Sequence, residues 1–68
     1  MNEGTIQNTK PAKGFGFLKT TSGQELFFHQ TSVDHGRFEE LVEGQVVNYV
    51  VGRDPQGFFA ERVRIIGS

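Results

Sequence analysis

Hydrophobic and polar residues alternate along this chain in short segments, the pattern expected of strands whose neighbouring side chains point to opposite faces of a sheet. Five such segments lie at about residues 3–9, 14–20, 24–29, 45–53 and 57–66. Turn-forming residues separate them, at Pro11, Ser22-Gly23, His35-Gly36, Glu43-Gly44 and Asp54-Pro-Gln-Gly57. Only residues 37–42 could form helix, and a single turn of helix is unstable by itself. The pattern predicts an all-β chain.

The inner faces of the five segments supply one hydrophobic core. We assign to it Ile6, Leu18, Leu26, Phe28, Val33, Val47, Tyr49, Val51, Val63 and Ile65. With 68 residues, the chain has room for a single domain, residues 1–68, whose core is barely large enough to fold alone. Short strands with tight links favour a closed or nearly closed barrel, because closure removes unpaired sheet edges.

Aromatic residues remain on the other side of two segments. Phe15 and Phe17 share one face of the second segment, and Phe27 and His29 share one face of the third. If Ser22-Gly23 joins these segments in a hairpin, the four rings form a continuous patch. An exposed apolar patch on a small domain marks a binding site, and nucleobases stack well on aromatic rings. We therefore predict a surface that binds single-stranded nucleic acid.

Glycine and lysine residues accompany these rings. Gly14 and Gly16 leave space for another backbone or a ligand to approach the sheet closely. Lys13, Lys19 and, in the preceding loop, Lys10 are candidate phosphate partners, although exposed lysine is also the ordinary occupant of a solvated face.

Three further aromatic residues are less definite candidates. Phe38 lies in a polar loop, where it either extends the stacking surface or caps the end of the barrel. Phe58 and Phe59 are consecutive, so one of them points outward in a regular strand and offers a second contact. His29 either contacts a base or phosphate or makes only a local strand contact.

Charge and composition narrow the function further. The net charge is −1, but residues 5–24 hold three lysines and no acid, whereas residues 34–54 hold five acids and two arginines. This balance favours base stacking over phosphate tracking along duplex DNA. There is no cysteine, no apolar run of membrane-spanning length and no signal-peptide pattern, so we expect a cytoplasmic protein that does not bind membranes.

Catalytic and metal-binding residues are few. His29, His35, Asp34 and Asp54 form no recognisable set of nucleophile, base and orienting group, and Glu39-Glu40 are adjacent rather than placed across a cleft. Two histidines without cysteine or a positioned carboxylate make an incomplete metal site. We expect no enzymatic activity, cofactor, metal or small-molecule substrate.

Two motifs stand on the second and third segments, Lys13-Gly-Phe-Gly-Phe-Leu18 and Leu26-Phe-Phe-His29. They resemble, in this order, the first and second ribonucleoprotein motifs of the cold-shock domain family of bacterial cold-shock proteins and eukaryotic Y-box proteins. Glu3-Gly-Thr-Ile6 and Glu43-Gly-Gln-Val46 are similar to the starts of its first and fourth strands. The resemblance implies a five-stranded antiparallel OB-fold barrel that binds single-stranded RNA or DNA with low sequence specificity, as an RNA chaperone or a regulator of gene expression.

The family's stacking positions fall on Phe15, Phe17, Phe27, His29 and Phe38, with Lys13 near the nucleic-acid backbone. The chain departs from the family at Asn8-Thr9, where Trp-Phe is usual, and at Gln30, which replaces an aromatic residue of bacterial members. We retain Gln30 and Phe58 as secondary contacts. Because each stacking ring contributes about 1–3 kcal/mol per base, we expect weakened binding.

The main alternative is a protein-interaction or dimerisation module, on a cold-shock barrel whose nucleic-acid face has drifted. Phe58-Phe59 would then form an apolar partner surface. On either interpretation we expect a monomer or a weak homodimer.

Overall fold

In the computed structural model, strands form wherever the alternation predicted them. The structure describes residues 2–35 and 37–66, and it does not describe the side chain of His35. The strands are β1 (Asn2–Lys10), β2 (Phe15–Thr20), β3 (Glu25–His29), β4 (Val33–His35), β5 (Val46–Asp54) and β6 (Gly57–Ile65). Single turns of 3-10 helix occupy Gln30–Ser32 and Phe38–Glu40. The described residues contain no α-helix.

The sheet closes on itself. β1 is antiparallel to both β2 and β5, β2 is antiparallel to β3, and β5 is antiparallel to β6. A parallel contact between Phe27 of β3 and Phe59 of β6 completes the circle, and Val33 of the short β4 pairs with Val63 further along the same edge of β6. β3 and β4 therefore both pair in parallel with β6 and together act as one barrel strand, interrupted by the 3-10 turn at Gln30–Ser32. The predicted five-stranded OB-fold barrel is confirmed.

The barrel interior contains most of the predicted core. The buried hydrophobic residues are Ile6, Leu18, Leu26, Phe28, Phe38, Leu41, Val47, Tyr49, Ala60 and Val63, with Val33 and Ile65 packed against them. Desolvation by burial raises the pKa of the Tyr49 phenol. Phe38 and Leu41 complete the core from a connecting segment, where strand alternation gives no signal for burial.

Val51 was wrongly assigned to the core. It pairs with buried Ala60 and so shares its face, yet its side chain is 42% exposed. The reason is its position at an open end of the barrel, where it lines a surface cavity with Leu26 and Tyr49. The inward-facing side of β5 was predicted correctly at Val51, but the point along the strand at which the buried core ends was not.

Gly16 allows two parts of the barrel to approach closely. A Cβ added there would lie 2.9 Å from the Asn8 carbonyl oxygen and 2.9 Å from the Phe28 Cζ. Of the two reasons suggested by the sequence, the structure supports close approach of another backbone. Gly14 differs, because it has φ +78° in the β1–β2 turn, a conformation that favours glycine.

No helix within residues 2–35 and 37–66 is long and apolar enough to cross a membrane. Across those same residues, no group of three or more His, Cys, Asp or Glu side chains is placed to hold a metal ion.

Candidate nucleic-acid interface

The β2–β3 hairpin places the predicted aromatic residues side by side. Phe15 pairs with His29, and Phe17 pairs with Phe27. The Thr20 side chain accepts a hydrogen bond of 3.1 Å from the Gln24 backbone N–H, which helps to close the turn that contains Ser22 and Gly23. Because paired residues share a face, the hairpin brings all four rings to the outside of the barrel.

Three of the rings form a contiguous cluster, which we call the aromatic platform: Phe15, Phe17 and Phe27. Their centroids lie 5.9 Å apart for Phe15–Phe17, 5.4 Å for Phe15–Phe27 and 5.9 Å for Phe17–Phe27. These distances are those of favourable aromatic pairs. Phe15 and Phe17 are half-buried and Phe27 is 40% exposed. The rings thus support each other while presenting apolar surface to solvent.

His29 extends the platform with a polar ring. Its Nδ1 accepts a hydrogen bond of 3.2 Å from the Thr31 backbone N–H and lies 3.0 Å from the Thr31 hydroxyl oxygen. A neutral imidazole that accepts at Nδ1 carries its proton at Nε2. The exposed His29 ring can therefore donate to a base or a phosphate while keeping its local contact, so the two interpretations of this residue are compatible.

The edge of the platform next to β1 is polar. Asn8 pairs with Phe17 and Lys10 pairs with Phe15, after a register shift between Ile6 and Asn8. Thr9 pairs with Gly16, whose position faces the barrel interior. Of the two residues that replace the family's rings, Asn8 alone shares the face of the platform.

The three lysines are exposed but differ in their surroundings. Lys10 and Lys13 lie at the Phe15 end, because the Lys10 carbonyl oxygen accepts the Lys13 backbone N–H at 3.0 Å in the β1–β2 turn. Lys19 has an acidic residue, Glu25, as its cross-strand neighbour on β3. Of the three lysines predicted as phosphate partners, Lys10 and Lys13 therefore lie at the Phe15 end of the platform without an acidic residue paired across the described sheet.

The secondary candidates have different positions. Gln30 is exposed and lies against the β1–β2 turn, where its backbone N–H donates to the Gly14 carbonyl oxygen at 2.8 Å. Phe58 is 62% exposed, and the Arg53 guanidinium lies 5.7 Å from its ring centroid. Gln30 is therefore brought to the Phe15 end of the interface, while Phe58 lies on the β5–β6 hairpin.

Phe38 does not belong to the exposed surface. Its side chain is 6% exposed and its ring lies 6.1 Å from that of Phe28, at an angle of 68°. A ring enclosed in this way has no free face for a base, so its assignment as a stacking residue is corrected. Of the two possibilities given by the sequence, Phe38 caps the core.

Asp54 and Gln56 were missed as potential ligand contacts. Together with Phe27, His29 and Phe58 they line a groove beside the platform. The Asp-Pro-Gln-Gly sequence predicted a turn here, but the position of that turn next to β3 depends on barrel closure between Phe27 and Phe59. No local sequence pattern therefore predicts that this turn lies next to β3.

A closed OB-fold barrel with aromatic residues on its second and third strands belongs to the class of barrels that bind oligonucleotides. The chain matches the family described as the 'Cold-shock' DNA-binding domain over residues 2–66. It therefore belongs to the cold-shock domain family, a family of nucleic-acid-binding proteins.

Its relatives are similar over nearly their whole length. The chain is 40% identical over 63 residues to the Major cold shock protein CspA of Pseudomonas aeruginosa, covering 93% of this chain and 91% of that protein. It is 39% identical over 67 residues to the cold shock-like protein CspA of Stigmatella aurantiaca, covering 97% and 98%. The cold shock protein CspC of Bacillus subtilis is 33% identical over 64 residues, covering 94% and 97%.

Proposed function

We propose that this chain binds single-stranded RNA or DNA with low sequence specificity by stacking bases on the aromatic platform. The observation that carries the proposal is the contact among Phe15, Phe17 and Phe27 on the outer face of one hairpin. Flat rings accept any base, because every base has a stacking face. Sequence discrimination by the platform itself is therefore weak.

Polar groups around the platform suit the sugar–phosphate backbone. Lys10 and Lys13 lie at the Phe15 end, and His29 offers Nε2–H beside the same ring. The lysines provide charge while the rings provide stacking, so bases face the barrel and phosphates lie towards its polar rim. A protein that holds unpaired strands in this way opposes RNA secondary structure, which is the action of an RNA chaperone or a regulator of gene expression.

Chemical-shift mapping tests the proposal. Hexauridine or hexathymidine is titrated into labelled protein while the amide and aromatic resonances are followed. We expect the largest shifts at Phe15, Phe17, Phe27 and His29. Phe17→Ala should weaken binding, whereas Val50→Ala, an exposed change on β5, should not. The absence of shifts on the platform at high micromolar oligonucleotide would overturn the proposal.

The alternative function, an apolar partner or dimer surface, is favoured by the exposure of Phe58 and Val51. Both line the cavity at one end of the barrel, away from the Phe15 end of the platform. Sedimentation of the wild type and of Phe58→Ala separates this alternative from nucleic-acid binding. A monomer at all accessible concentrations argues against self-association, and loss of a dimer in Phe58→Ala supports it.

A further inference from the structure

A groove of about 440 Å³ lies between β3 and the β5–β6 turn. Its lining includes Phe27, His29, Ser32, Asp54, Gln56 and Phe58. The groove exists because β6 contacts β3 at Phe59, whereas the β5–β6 pairing continues to Asp54 and Gly57. The tip of the hairpin thus extends beyond the closure contact and stands beside the end of β3.

The groove is continuous with the aromatic platform. Phe27 belongs to both, and His29 lines the groove while pairing with Phe15. A strand stacked on the platform consequently passes the mouth of the groove, and one base can turn into it without a break in the strand.

One wall of the groove is flat and apolar. The Phe58 ring is 62% exposed, and the cation–π contact with Arg53, at 5.7 Å, holds it in place. Phe27 contributes a second ring. Exposed aromatic rings of this kind offer a planar heterocycle a face on which to stack.

The polar edge of the groove is an oriented carboxylate. Asp54 Oδ1 accepts the Gln56 backbone N–H at 2.9 Å, an Asx turn that limits rotation of the side chain. A fixed negative charge disfavours a phosphate in this position and favours a base that presents N–H groups. The groove therefore differs from the platform, because it has a means of distinguishing one base from another.

We infer that this groove binds one guanine-type base, whose adjacent ring N–H and amino group pair with the Asp54 carboxylate while its ring packs against Phe58. Carboxylates accept such paired donors in a bidentate arrangement. Uracil and thymine offer a single N–H between two carbonyl oxygens, which the carboxylate repels. The inference rests on the proposed function, because the base reaches the groove from a strand held on the platform.

Fluorescence anisotropy with labelled hexanucleotides tests the inference. Hexauridine is compared with six variants that each carry one guanosine at a different position. We expect guanosine at one position to tighten binding about tenfold, the scale of a bidentate base contact. Asp54→Asn and Asp54→Ala should abolish this preference while changing the Kd for hexauridine less than about twofold. Asp54→Asn retains an acceptor for the Gln56 N–H, so it separates the carboxylate from the turn.

Phe58→Ala should weaken binding of the guanosine-containing oligonucleotide about fivefold. Val50→Ala, on the same hairpin, should leave that affinity unchanged. Tight hexauridine binding with no guanosine preference at any position would overturn the groove inference and leave the proposed function standing. A preference that survives both Asp54 variants would also overturn it. Failure of every oligonucleotide to bind would instead overturn the proposed function.

Discussion

Asn8 lies directly across from Phe17 in the β1–β2 pairing. Its exposed amide side chain therefore borders the aromatic platform at the position where a ring on β1 would enlarge it. The neighbouring Thr9 pairs with Gly16, whose position is closed by the Phe28 ring, and it belongs to the other face. The platform thus lacks one neighbouring ring on β1 rather than two.

Asn8→Trp should restore that ring. The added indole extends the stacking surface beside Phe17, and we expect tighter hexauridine binding by about 1–3 kcal/mol. Val50→Trp is the matched control, since it adds the same ring to an exposed strand position on β5. Anisotropy titrations compare the two. Equal affinities for both variants would show that bases do not stack at this edge.

Phe27 and Phe28 are consecutive residues with opposite roles. Phe27 is 40% exposed on the platform, whereas Phe28 is completely buried. Phe27→Ala should weaken oligonucleotide binding by about 1–3 kcal/mol and leave the barrel folded. Phe28→Ala should lower the free energy of unfolding by about 3–5 kcal/mol, because it leaves a cavity in the core.

Urea denaturation and anisotropy measure these two effects separately. Phe38→Ala should behave like Phe28→Ala, since both rings pack together in the core. Loss of affinity in a stably folded Phe38→Ala variant would contradict the burial of that ring.

The strands and the platform could be predicted from sequence because both depend on local alternation. Phe15 and Phe17, and likewise Phe27 and His29, lie two residues apart, so their shared face follows from strand geometry. The sequence alone could not decide between burial and exposure of Phe38, because its segment lacks strand periodicity and its environment depends on how that connecting segment packs against Phe28 of β3.

Salt dependence should distinguish stacking from phosphate binding. Lys10 and Lys13 are the lysines best placed near the platform. Each phosphate contact on a single strand contributes about −0.7 to the slope of log K against log salt concentration. We expect a slope of about −1.5, reduced by about half in Lys13→Gln. A slope several times steeper would indicate binding dominated by phosphates.

Arg62 has φ +50°, in the left-handed region, where a side chain is strained. It lies at a β-bulge, because Asn48 pairs with Arg64 while Val50 pairs with Glu61. Arg62→Gly removes the steric cost, whereas Arg62→Val increases it through branching at Cβ. We expect the glycine variant to be more stable than the valine variant by about 1–2 kcal/mol in urea denaturation. The reverse order would contradict the strained backbone.

Tyr49 should make the barrel sensitive to alkaline pH. Burial raises the pKa of its phenol above the usual value of 10.0, so above pH 10 the unfolded chain loses this proton before the folded chain does. The folded state then binds more protons, and the free energy of unfolding falls as pH rises, by at most about 1.4 kcal/mol per pH unit. The contribution of Tyr49 to the free energy of unfolding is therefore complete below the pKa of the unfolded chain and is lost as pH rises through the pKa of the folded chain.

Tyr49→Phe keeps the buried ring and removes the titrating group. We expect the wild type to lose more stability than Tyr49→Phe in urea denaturation between about pH 9 and pH 12, the range around an ordinary tyrosine pKa. Because Tyr49 is the only tyrosine and the chain has no tryptophan, tyrosinate absorbance reports its titration directly. Identical pH profiles for the two proteins would mean that the Tyr49 hydroxyl is as well solvated in the folded barrel as in the unfolded chain.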